Sequence, residues 1–184
     1  VISATAMLPA RLDIVAHCAS MPTRIVGTVK AGIYRIELPP AVSCVITVGN
    51  GEWEADLFPV EDANVAMPLP VLVYPKKLPE PEMARELIAM ARDAFRKRSP
   101  AADGAREKRL AAMIAAKGWP TISMVGGEAA RGAWLIAQHS SAPSLKRWLP
   151  LMQQAAVKYE INLANLATSI DRGLLYAHKK QRYG

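Results

Sequence analysis

Cysteine is scarce in this chain: Cys18 and Cys44 are the two thiols in 184 residues. Without a paired C-x-x-C spacing they frame no structural zinc site. They admit two readings, a pair of small buried hydrophobes or one disulfide in an oxidising compartment, and two residues do not choose between them. Long apolar runs are also missing. None approaches the roughly 18 residues that a bilayer-crossing helix needs, so no transmembrane segment is expected here. H-E-x-x-H, G-x-S-x-G, G-x-G-x-x-G and the P-loop are all absent, which removes the best-marked signatures of metalloprotease, α/β-hydrolase and nucleotide chemistry. Neither cofactor nor metal is expected.

What is present is enough apolar material for a packed core. Hydrophobic residues make up 51% of the chain, a content that suits one large domain or two small ones. The net charge of +7 is unevenly placed: residues 1–75 carry four Lys/Arg and seven Asp/Glu, whereas residues 76–184 carry nineteen and nine. That asymmetry predicts two units with different surfaces and an acidic partner for the second. The chain opens on Val1, and translation opens on Met, so a signal peptide, an anchor or a tag is expected upstream. With the two cysteines and a β domain, this leans towards an extracytoplasmic location.

Up to Tyr74 the hydrophobic period is two. Tyr34, Ile36 and Leu38, then Val42, Cys44, Ile46 and Val48, then Trp53, Ala55 and Leu57 alternate with mainly polar neighbours, as half-buried strands do. Gly49-Asn50-Gly51 predicts a tight hairpin through positive φ at Asn-Gly. Further strands are expected at 12–16, 24–30 and 71–74, and an edge or long loop over 59–70, where Pro68 and Pro70 cannot donate to a ladder. Five to seven short strands predict a small antiparallel sandwich or barrel over residues 1–75. Glu52, Glu54 and Asp56 share one strand face and read as a solvated face, and His17 reads as a partly buried histidine.

Residues 76–82, rich in proline, form a linker or the end of the β unit. From 83 to 184 the period is 3.6. Met83, Leu87, Met90, Ala91 and Ala94 line the first of about five helices, and Ser99-Pro100 ends it. Asp103 is the expected N-cap of the second helix, and Gly118 with Trp119-Pro120 its stop. Gly126-Gly127 opens the third, about 128–139. The fourth covers about 144–159, kinked or restarted at Pro150. Asn162 caps the fifth, with Leu163, Leu166, Ile170 and Leu174 on one stripe. The fold class is therefore α+β, a β unit followed by a basic helical bundle.

Gly118-Trp119-Pro120-Thr121, Val125-Gly126, Ala133-Trp134-Leu135-Ile136 with Gln138-His139, Leu149-Pro150-Leu151, Asp171-Arg172 and Gln181-Arg182-Tyr183-Gly184 follow one another in order. As a set, over about 82–184, they resemble the bacterial domain-of-unknown-function family numbered 6624. Lys117 stands where that family has a histidine, and Ser140-Ser141 stand where it has Ala-Asp. The resemblance implies a bacterial helical domain with no assigned activity, to which the β half is an accessory.

His139 and Asp171 are the candidate catalytic pair. An imidazole oriented by a carboxylate serves as a general base, with Ser140, Ser141 or water as nucleophile. Equally, a histidine ending a helix complements the helix dipole, and Asp171-Arg172 makes an internal ion pair. Trp119, Trp134, Gln138, Arg172, Gln181 and Tyr183 are the candidate binding residues, and both tryptophans also suit a core. Two functions follow: an interaction module for a protein or small acidic ligand, or a hydrolase or transferase with a His/Asp site. Nucleic acid is supported by charge alone.

Overall fold

The computed structural model describes residues 2–3, 11–19, 21, 25–30, 33–40, 42–55, 58–60, 72–96 and 99–184. The elements run in the order β1 (Ile2–Ser3), β2 (Asp13–Cys18), β3 (Ile25–Val26), β4 (Thr28–Lys30), β5 (Ile33–Arg35), β6 (Cys44–Gly49), β7 (Trp53–Glu54), β8 (Phe58–Val60), β9 (Leu72–Pro75), α1 (Pro81–Arg96), α2 (Pro100–Lys117), α3 (Ile122–Val125), α4 (Gly127–Gln138), α5 (Ala142–Val157) and α6 (Leu163–Tyr176). The class is α+β. The chain divides into two compact units, Val1–Lys77 and Leu78–Gly184.

In the first unit, alternation sets the sheet. β2 and β6 form its antiparallel centre, in the register Ile14↔Val48, Ala16↔Ile46 and Cys18↔Cys44. A period of two sends these six side chains to one buried face and Asp13, His17 and Val45 to the exposed one. Cys18 and Cys44 are joined in a disulfide, with Cα atoms 3.9 Å apart. The Ala19 N–H to Ser43 carbonyl bond (2.9 Å) just beyond them marks a non-hydrogen-bonded pair, where facing side chains approach closest.

Around this centre the strand order is β1-β9-β7-β6-β2-β3, with β8 also on β6 and β4-β5 a separate hairpin. Among the described strands β1 alone pairs in parallel, with β9. Among the described residues the pairings make an open sheet beside a hairpin. The hairpin expected at Gly49-Asn50-Gly51 forms by other means than positive φ, which neither Asn50 nor Gly51 adopts. Instead the Asn50 Oδ1 accepts the N–H groups of Glu52 and Trp53, both at 2.8 Å, and the side-chain amide does the turning. Asp56, Leu57 and residues 61–71 lie outside the described residues.

The second unit is a six-helix bundle, one helix more than the sequence predicts. The addition is α3, a single turn in what reads as a loop. α4 lies centrally, against α1, α2, α3, α5 and α6. Its stripe of Ala129, Ala130, Gly132, Ala133 and Ala137 is buried, and small side chains let its neighbours approach. At Gly132 a Cβ would meet the Leu87 carbonyl oxygen at 3.0 Å, so α1 packs on bare backbone there.

Two helix starts differ from expectation. α2 begins at Pro100, capped by Ser99, whose Oγ accepts the Ala102 N–H at 3.1 Å. Ser-Pro stops one helix and starts the next, because proline at N1 needs no donor. Asp103, expected as the cap, instead pairs with the buried Arg106 at 2.8 Å, and Arg106 also holds Asp93 at 2.8 Å. α5 starts at Ala142 and runs unbroken through Pro150. Pro150 is exposed, opposite the buried Leu145, Trp148, Met152 and Ala155, so the carbonyl it leaves without a donor faces solvent.

Candidate functional site

The seam between α4 and α6 gathers most of the predicted site residues. The Trp134 indole Nε1 donates to the Asn165 carbonyl at 2.9 Å. One turn on, the Gln138 Nε2 donates to Ser169 Oγ at 2.6 Å, and the Gln138 Oε1 accepts from Arg172 Nε at 3.0 Å. Beyond the end of α4, the Tyr176 hydroxyl donates to the Ser140 carbonyl at 3.2 Å. Residue numbers rise together on both sides, so α4 and α6 run parallel, with α5 as the return between them. Gln138 and Ser169 are buried, and their mutual bond removes the cost of placing two polar groups in a core.

Asp171 sits one position from this ladder on α6 and is 4% exposed. Its Oδ1 accepts the backbone N–H of Arg182 at 2.6 Å and of Tyr183 at 3.2 Å, and its Oδ2 accepts Tyr183 N–H at 3.1 Å. The carboxylate is thus a clasp for the chain beyond α6. That chain leaves the helix through His178, whose φ of +54 gives the left-handed exit usual at a helix end. His139 is half-buried and follows α4 directly, its N–H donating to the Ile136 carbonyl at 3.0 Å. Gln181 and Tyr183 are exposed, and Trp119 is buried between α2 and α3, its Nε1 making no hydrogen bond among the described residues. The structure therefore joins Gln138 to Arg172 and Asp171 to the backbone of Tyr183, and adds Trp134 to the same seam. Among the described residues no group of three or more His, Cys, Asp or Glu side chains could hold a metal ion.

Two carboxylates escaped the sequence reading because their partners are far along the chain. Glu107 on α2 caps α5: its Oε2 accepts the Ser141 N–H at 2.8 Å, and its Oε1 accepts the hydroxyls of Ser141 and Ser144 at 2.6 and 2.5 Å. Burial pushes its pKa up, but the bonds from Ser141 and Ser144 and the charge of Arg147 together hold it below the usual range. Glu160, before α6, caps α3. Its carboxylate takes the Ser123 N–H at 2.9 Å and hydroxyl at 2.7 Å, and its carbonyl takes the Ile122 N–H at 3.1 Å. A four-residue helix has mostly orphan donors, and Glu160 supplies acceptors for two of them.

The remaining carboxylates of this unit are also engaged. Glu80 pairs with Lys117, Glu82 with Arg85, Glu86 with Arg109 and Glu128 with Arg92. With Asp93, Asp103, Glu107, Glu160 and Asp171, all nine acidic residues of 78–184 have partners, against seventeen Lys and Arg. Lys108, Arg131, Lys146, Lys158, Lys179, Lys180 and Arg182 are exposed, and no ion pair engages them among the described residues.

An α+β chain with a disulfide-bonded sheet unit and a basic bundle is thus defined by its own geometry. No family model, no curated protein and no solved structure matches it.

Proposed function

We propose that the chain is a two-unit interaction protein whose helical unit receives an acidic partner, and that this unit belongs with the family numbered 6624 that its motifs resemble. One observation carries the reading: the acidic side chains of 78–184 are all engaged, while cations such as Lys108, Lys146, Lys158, Lys179 and Arg182 stand exposed with no ion pair among the described residues. A surface whose negative charges are tied up and whose positive charges are loose attracts anions over a Debye length, about 8 Å at physiological salt. The partner is a protein segment or small ligand rich in carboxylate or phosphate.

The first unit serves as an accessory domain of the sandwich type. The packing of Tyr34, Ile36 and Leu38 against the buried face of β2 and β6 supports a second layer over the sheet. The Cys18–Cys44 bond supports an oxidising compartment. A role for Asp171 as a clasp is supported over one as a general-base partner of His139, since both of its oxygens already accept backbone N–H groups.

Titration of the intact chain with polyglutamate tests the reading. Binding that weakens steadily as salt rises, with a neutral polymer of the same length inert, is the expected result. Equal binding of both polymers, or of neither, overturns it.

A further inference from the structure

Every residue from Leu175 to Gly184 is exposed, and the stretch mixes two kinds of side chain. Leu175 is 52% exposed, Tyr176 42% and Tyr183 58%. Between them come Lys179, Lys180 and Arg182, none with an ion pair among the described residues. The segment is nevertheless held in place. Asp171 grips the N–H groups of Arg182 and Tyr183, so backbone is spent on the fold and side chains are left outside. Asp171 is also the one Asp or Glu side chain in 161–184, and it is buried, so no exposed acidic side chain of that stretch opposes the three cations.

We propose that this clasped segment, with the end of α6, docks onto a lipid surface bearing anionic headgroups. The proposal rests on the reading of the helical unit as a receiver of acidic partners and adds a second kind of anionic partner, at a named place. An acidic peptide is gripped in a groove with walls, whereas the ten consecutive residues 175–184 are all exposed to whatever meets the end of α6. Tyrosine and leucine flanked by lysine and arginine is the composition of an interfacial contact: apolar bodies enter the headgroup boundary and cationic tips meet phosphate. Each lysine or arginine near an anionic bilayer strengthens binding about fivefold. Lys179, Lys180 and Arg182 together then contribute roughly a hundredfold, screened by salt.

Co-sedimentation of the intact chain with vesicles tests this, using phosphatidylcholine alone and phosphatidylcholine mixed with phosphatidylglycerol. The parent chain is expected to bind the mixed vesicles and not the neutral ones. The triple change Lys179→Gln, Lys180→Gln and Arg182→Gln should lower that binding at least tenfold, and Tyr183→Ser should weaken it with the charges intact. Lys76→Gln with Lys77→Gln, both exposed and in the sheet unit, should leave it unchanged. Circular dichroism of each variant confirms that the helices persist. Equal binding to both vesicle types overturns the proposal, as does a triple variant that binds like the parent. Loss through Lys76 and Lys77 instead would overturn it while leaving the acidic-partner reading in place, and failure of the chain to bind polyglutamate would remove that reading itself.

Discussion

Asp171 holds Tyr183 through both carboxylate oxygens, at 3.2 and 3.1 Å from the same backbone N–H, across twelve residues of sequence. A buried carboxylate paired with amides has satisfied its charge without a cation. Removing it strands those amides and opens a small void. Asp171→Ala is expected to cost on the order of 1–3 kcal/mol and to free the segment after α6. Hydrogen exchange reads this directly: the Arg182 and Tyr183 amides, protected in the parent, should exchange at the rate of an open chain. Unchanged protection would show that something other than Asp171 pins them.

Glu107 makes the bundle sensitive to acid. Its carboxyl is held below its unfolded value, so the stability it contributes is fully present above that unfolded pKa and is lost as pH falls through the lowered folded one. Glu86, lowered mainly by its bond to Arg109, acts in the same direction. Glu107→Gln should lower stability near neutral pH by about 1 kcal/mol and flatten its decline in acid. Parallel acid-unfolding curves for parent and variant would contradict this assignment.

Gln138 ties α4 to two places on α6. Gln138→Ala leaves Ser169 and Arg172 without that partner and should destabilise the bundle by about 1–3 kcal/mol. A double-mutant cycle with Ser169→Ala should return a coupling energy of at least about 0.5 kcal/mol. Strict additivity would mean that the 2.6 Å contact contributes nothing to stability.

Tyr159 ends α5 with φ at +58, a region that costs a side-chain-bearing residue about 1 kcal/mol. Tyr159→Gly is expected to raise the melting temperature of the helical unit. A fall would show that the half-exposed ring makes contacts worth more than the strain.

Reduction acts on the other unit. The Cys18–Cys44 bond closes a loop of sequence separation 26, and its loss should cost about 3.5 kcal/mol by loop-closure entropy. Amide exchange should quicken across β2 and β6 on reduction while the helices hold. Uniform behaviour of the two units would contradict it.

Much of this fold was legible because it rests on local periodicity. Alternation marked β5, β6 and β7, the 3.6 period marked α1, α4 and α6, and Asn162 announced its helix by a side chain that accepts from Ala164 and Asn165. What escaped depends on residues distant in sequence. α3 owes its cap to Glu160, 37 residues away, and no local signal predicts a single turn capped from outside. Ser99 was read only as a stop, although the same serine caps the next helix. The candidate site was legible as a set of polar residues but not as an arrangement. The sequence named Gln138 and Arg172 together as candidates, yet it could not show that they meet, or that Asp171 turns to the backbone of Arg182 and Tyr183.

The most direct test of the central claim, that the helical unit acts through its unneutralised cations, is the affinity of the intact chain for polyglutamate as ionic strength is raised. The account predicts measurable binding at low salt that falls continuously as the Debye length shrinks, and that falls further when exposed cations are changed to glutamine. Affinity that ignores both salt and the loss of those cations would contradict it.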